Sequence, residues 1–147
     1  MKIFTIGFTK KNARQFFELL KVNEIDIVLD IRLNNKSQLA GFTKGEDIQY
    51  FLSEICHCDY QHCLEFAPTK GILDSYKKNL ITWAEYEEQY IALMNKREKH
   101  LTFLDNYAKY ENVCLLCSEP TPEHCHRRLI AEMIADTSLQ KIKIQHI

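Results

Sequence analysis

The chain has 147 residues, a net charge of −1 from 19 basic and 20 acidic side chains, and a hydrophobic content of 46%. That is the size of one domain with its own core, and the near-zero charge argues against a general nucleic-acid scaffold while leaving room for a local basic pocket. With four glycines, three prolines and no apolar run fit for a membrane span or signal peptide, disorder, membrane insertion and export are not expected.

The six cysteines then read as reduced thiols of a cytoplasmic protein, not as a disulfide framework. In chain order, "KIFTIGF" is a β-branched and aromatic run that predicts a first strand ending at Gly7. Asn12 is placed to cap a helix over "ARQFFELLKVN", in which Phe16, Leu19 and Leu20 recur at helical spacing. "DIVLDIR" predicts a second strand, with Asp30 and Arg32 on one face and Ile27, Leu29 and Ile31 on the other. "LNNKSQLAGFTKGED" reads as loop, "IQYFLSEI" as a short helix and "YQHCLEF" as a third strand.

From Ile72 to about Glu111 the pattern is mostly helical, with a bend expected near "NKREKH" or "DNY". Trp83, Tyr86 and Tyr90 in this stretch read as a core-packing face, or alternatively as a dimer interface. "NVCLLC" predicts a fourth strand and "KIKIQHI" a closing one. Between them, "TPEHCHRRLIAEMIAD" predicts a helix with Thr121 as N-cap and Pro122 as its first residue. Its buried stripe is Leu129, Ile130, Met133 and Ile134, with His126 turned inward and Arg128 turned outward toward Glu132. The alternation predicts a single three-layer α/β domain over residues 1–147, with a mainly parallel sheet of about five strands.

Ligands of such sheets bind beyond the carboxyl ends of the strands, which directs attention to "TIGF", "DIR", the loop after the third strand and "CSE". Polar pairs there, Asp30 with Arg32 and Cys117 with Glu119, need either a partner or a ligand to offset burial. A zinc site on Cys114, Cys117, Cys125 and a histidine is disfavoured, because residues three apart in a strand face opposite ways; no metal and no cofactor is expected. A phosphatase loop is excluded, because Glu123 stands where its arginine belongs. Two readings remain. Cys117 is a thiolate nucleophile near a helix N-terminus, or the strand ends form a pocket for a nucleotide or other small anion. In the second, Arg32, Arg127 and the helix N-terminus supply positive potential, Glu119 is an acid or base, and Gly7 permits close approach.

"TIGF", "DIR", "LEFAPTK" and "CLLCSEPTPEHCHRRLIAEMI" together resemble the DUF488 family, a domain of unknown function. By position, the resemblance places the family's characteristic polar residues on Asp30, Arg32, Ser37, Cys117, Glu119, Cys125, His126 and Arg127. The chain departs from the family pattern at Phe8-Thr9, where histidine and serine are common. It departs again at Leu33-Asn34-Asn35, where a proline often follows the arginine, and at Phe66-Ala67-Pro68 in place of a double glycine. The combined expectation is a small enzyme acting on a nucleotide, a nucleic-acid end or another anionic metabolite, as a monomer or homodimer. In it Cys117, Glu119 and His126 are catalytic, and Gly7, Asp30, Arg32, Ser37, Cys125 and Arg127 bind the ligand. A non-catalytic module using the same pocket, or a cysteine-dependent sulfur transferase, stays open, as does a nucleic-acid partner.

Overall fold

Five strands, β1 (Lys2–Gly7), β2 (Ile27–Asp30), β3 (Asp59–His62), β4 (Asn112–Cys117) and β5 (Lys143–His146), pair in the order β3-β2-β4-β1-β5. Every pairing is parallel, as the alternating pattern requires. This computed structural model describes residues 1–38 and 40–147. The helices are α1 (Ala13–Val22), α2 (Gly45–Phe51), α3 (Lys70–Lys77), α4 (Trp83–Arg97), α5 (Phe103–Tyr107) and α6 (His126–Thr137). None of them is long and apolar enough to cross a membrane.

Strand alternation sorts the core into two halves. Ile27, Leu29, Ile31, Val113, Leu115 and Cys117 pack against α4, α5 and α6. Phe4, Ile6, Val28, Cys114 and Leu116 pack against α1 and α2. Both faces are therefore covered, and the central strands β2 and β4 are buried nearly throughout. Cys114 and Cys117 do lie on opposite faces.

Local signals act where they were read. Asn12 and Gln15 form a reciprocal capping box on α1, with bonds of 2.9 and 3.0 Å. Arg128 pairs with Glu132 at 2.9 Å one turn on, and also reaches Glu87 of α4 at 3.2 Å. Three boundaries differ from expectation. The stretch from Ile72 to Glu111 is three helices, not one. Asn79 and Glu98 adopt left-handed backbone (φ 56° each) and end α3 and α4; the second break falls within the "NKREKH" segment. β3 stops at His62, and Leu64–Phe66 form a 3₁₀ turn.

The third difference concerns α6, which starts at His126. Cys125 is its N-cap, extended at φ −141° and ψ 135°, and Thr121 does not cap it. Prolines at 120 and 122 bias Glu119 and Thr121 away from helical backbone. The chain instead closes a turn from the Cys125 amide to the Pro122 carbonyl at 3.2 Å. Leu129, Ile130, Ala131 and Ile134 are buried, Met133 half-buried.

The start of α6 is locked to β1. Arg127, only 1% exposed, donates from Nη1 to the Glu119 carbonyl and from Nε to the Thr5 hydroxyl at 3.3 Å. Gly7 pairs with Cys117 in the sheet. A Cβ on Gly7 would fall on the Glu119 carbonyl and stand 2.8 Å from Arg127 Nη1. The glycine is needed for space, since no glycine has positive φ. Gly7→Ala is expected to cost about 3 kcal/mol or more in a denaturant melt, at the upper end of overpacking effects. Gly41→Ala, with nothing within 4 Å of the new methyl, should stay within about 0.5 kcal/mol of wild type.

Candidate functional site

A cavity of about 360 Å³ opens at the carboxyl ends of β2 and β4, on the α4–α6 side of the sheet. Three stretches build it: Arg32, Leu33 and Asn34 after β2; Pro68, Leu73, Tyr76, Lys77, Asn79, Trp83 and Tyr86 from α3, α4 and their connections; and Cys117, Ser118, Glu119, His124, Cys125 and His126 around the β4–α6 loop. This is the crevice that the strand-end rule identifies.

One wall is aromatic. Trp83 stacks on Tyr86 (5.0 Å, 20°) and on His124 (5.1 Å, 26°), and Tyr76 packs at 5.1 Å against Tyr86. The sequence reading assigned Trp83 and Tyr86 to core packing. Tyr86 is indeed buried, yet both line the cavity. Their spacing of three does not distinguish a core stripe from a pocket wall, because both need an apolar helix face.

The floor is polar and buried. His126 Nε2 lies 2.9 Å from the Ile31 carbonyl. A carbonyl only accepts, so Nε2 carries the proton, and Nδ1 is left to accept from the Tyr86 hydroxyl at 3.4 Å. Both ring nitrogens stand 3.7 Å from Cys117 Sγ. Cys125 is also within reach: one ligand atom each from Cys117, Cys125 and His126 lies within 4.8 Å of the others. These donor types suit a soft cation such as zinc; the strand-spacing argument included Cys117, Cys125 and a histidine, and set the grouping aside because Cys114, its fourth member, faces the other way.

Burial ordinarily raises a thiol pKa. It lifts Cys56 to about 11 and Cys58 and Cys63 to about 12. Cys114 and Cys125 are raised as well, Cys125 by burial and by its bond to Cys117. Cys117 moves the other way. The Cys125 thiol bonded to its sulfur outweighs burial, helped by the Ser118 amide, the charge of Arg127 and the Glu119 amide. Neither of those two loop residues is a proline, so the loop keeps both N–H donors.

Asp30 and Arg32 form a separate unit. Arg32 grips Asp30 through Nε–Oδ1 (2.8 Å) and Nη2–Oδ2 (2.7 Å), and also donates to the Thr43 carbonyl at 2.6 Å. Tyr60 donates to Asp30 at 2.8 Å. Asp30 is in register with Leu116, not Cys117, so its side chain points to the α1–α2 face. Of the expected site residues, Cys117, Glu119, Cys125, His126 and Arg32 meet at the cavity, whereas Asp30, Gly7 and Arg127 are not among its lining residues. Arg127 lies on the β1 side of α6, and Gly7 admits the chain's own Glu119 carbonyl. Ser37 is on an exposed loop outside the lining. Phe8 stacks on the Arg32 guanidinium at 5.3 Å.

The chain matches the family described as "Domain of unknown function DUF488" over residues 12–134 and belongs to it. The matched region holds Asp30, Arg32 and every residue of the β4–α6 loop, and leaves β1 with Gly7 and Phe8 outside. No curated protein and no solved structure matches the chain.

The ion pair and the exposed Glu119 side chain separate cleanly in stability. Arg32→Met strands Asp30, 0% exposed, and should cost about 3–5 kcal/mol by denaturant melt. Glu119→Gln keeps the backbone carbonyl that Arg127 uses and should change stability by less than about 0.5 kcal/mol.

Proposed function

We propose that this DUF488-family protein is a small thiolate-dependent enzyme. Cys117 is its nucleophile, and its substrate is a ring-bearing anionic metabolite of the nucleotide type. One observation carries the reading: among the six cysteines, Cys117 is the one whose pKa is lowered, and it lies on the cavity floor. A thiolate, not a thiol, is the reactive form.

The surroundings divide the work. The Cys125 thiol, and after it the Ser118 amide, the Arg127 charge and the Glu119 amide, favour the anion on sulfur; the amides and the charge would equally favour negative charge developing on a substrate atom bonded to it. His126, with Nε2 fixed by the Ile31 carbonyl, presents a proton-accepting Nδ1. Glu119, at the rim, is the second acid–base group. The stacked Trp83–Tyr86–His124 wall suits a planar ring, which buries well against aromatic faces. Positive potential for an anionic group comes from Lys77 and the start of α6, with a smaller share from Arg32, whose charge Asp30 already balances.

Limiting iodoacetamide near neutral pH should label Cys117 first, found by peptide mapping. The lowered pKa puts thiolate at pH values where the other cysteines, all raised, stay protonated. Labelling should therefore fade only as pH falls below the ordinary thiol range. Uniform labelling, or none at Cys117, would remove the nucleophile. A thermal-shift panel of nucleotides and phosphorylated metabolites tests the substrate class; a ligand at a hundred times its Kd adds ~2.7 kcal/mol. Cys117→Ser should still bind the responding compound and should not turn it over. Binding without turnover by the wild type would identify a non-catalytic module.

A further inference from the structure

We infer that Cys117 and Cys125 are a peroxide-oxidisable dithiol that closes to an intramolecular disulfide across the cavity floor. The inference rests on the reading of Cys117 as the reactive thiol and adds a covalent role for Cys125, beyond the hydrogen bond that lowers the Cys117 pKa.

Geometry comes first. Cys117 and Cys125 are the two cysteines lining the cavity, and their sulfurs lie within 4.8 Å. A disulfide needs ~2 Å between sulfurs, so closure asks for a shift of roughly 2–3 Å. Of the two residues, Cys125 is the less tightly held and is the one that would move. Cys117 is fixed as the last residue of a central strand, whereas Cys125 ends a non-helical stretch and lacks a side-chain cap bond. Its amide is held by one turn bond to the Pro122 carbonyl. The remaining thiols are elsewhere: Cys114, Cys58 and Cys56 on the α1–α2 side, and Cys63 against the Tyr107 hydroxyl at 3.5 Å.

Chemistry follows from the arrangement. The cavity gives a small hydroperoxide a path to Cys117. The Cys117 thiolate attacks one peroxide oxygen, the O–O bond breaks, and the departing oxygen takes a proton and leaves as water or an alcohol. Cys117 is thereby oxidised to a sulfenic acid. Cys125 sulfur then attacks Cys117 sulfur, the S–O bond breaks, and the hydroxide leaves with the Cys125 thiol proton as water. The peroxide has been reduced by two electrons, and the pair of thiols oxidised by two. An external thiol returns the pair to the reduced state by exchange. The closed form has no nucleophile, so the same step that spares Cys117 from irreversible oxidation also halts its chemistry.

The test treats the whole reduced protein with stoichiometric hydrogen peroxide and cleaves after Glu123, which separates the two cysteines. In wild type the two peptides should stay joined, and dithiothreitol should part them. In Cys125→Ser the link should be lost and dimedone should trap a sulfenic acid on Cys117; Cys117→Ser should give neither product. A dimedone adduct on Cys117 in wild type with no link, or a link to another cysteine, overturns the inference. So does stoichiometric zinc by elemental analysis of the isolated protein, if that metal shields both thiols from peroxide. If Cys117 alkylates selectively but never links, only the dithiol fails. If it neither alkylates nor oxidises, the nucleophile fails with it.

Discussion

The buried guanidinium of Arg127 is the constraint around which the site is arranged. It is almost fully enclosed, and among the described residues its protein partners are a hydroxyl and a backbone carbonyl, not a carboxylate. A buried charge without a counter-charge costs several kcal/mol. Two features reduce that cost. The Glu119 carbonyl is bent down onto Arg127, which requires Gly7 beneath it. Cys117, whose pKa the Arg127 charge helps to lower, is a nearby group that can hold negative charge. The Arg127–Glu119 bond holds the β4–α6 loop against β1, and the same charge is one of the influences that lower the Cys117 pKa.

The other buried arginine has a different job. Arg32 gives its Nε hydrogen and both Nη2 hydrogens to Asp30 and Thr43, and Tyr60 donates to the Asp30 carboxylate. The unit ties the end of β2 to the segment before α2 and to β3. Its bidentate geometry is the kind that makes a buried pair sustainable. Placed beside the cavity, it contributes rigidity and shape more than net charge. His62, whose Nε2 meets the Arg32 carbonyl at 2.8 Å, extends the same brace. Asp30 thus lies on the α1–α2 face, while Arg32, bonded to it, reaches the edge of the thiol-bearing cavity.

Three ligand-type side chains share one buried corner of the cavity. Cys117, Cys125 and His126 each place a ligand atom within 4.8 Å of the others, and each is oriented by something outside the trio: strand β4, the Pro122 turn and the Ile31 carbonyl. Cys114 by contrast sits in an apolar setting, where burial raises its pKa. The aromatic wall above supplies the low-dielectric surroundings in which those fixed dipoles act strongly.

The sequence by itself determined what local periodicity controls. The alternation of strand and helix, the Asn12 cap, the buried stripe of α6, the inward turn of His126 and the opposite facing of Cys114 and Cys117 all follow from repeats of two and 3.6 residues. Those repeats relate near neighbours only. Tertiary structure decided the rest. Register between β2 and β4 put Asp30 opposite Leu116, and so sent its side chain to the face away from Cys117. Two prolines delayed α6 and made Cys125 a cap, with its sulfur beside Cys117. The packing of α3 and α4 turned tyrosines and a tryptophan at core-like spacing into the wall of a cavity. Register, loop path and helix docking depend on contacts between residues distant in the chain, and a single sequence carries no periodic signal for those.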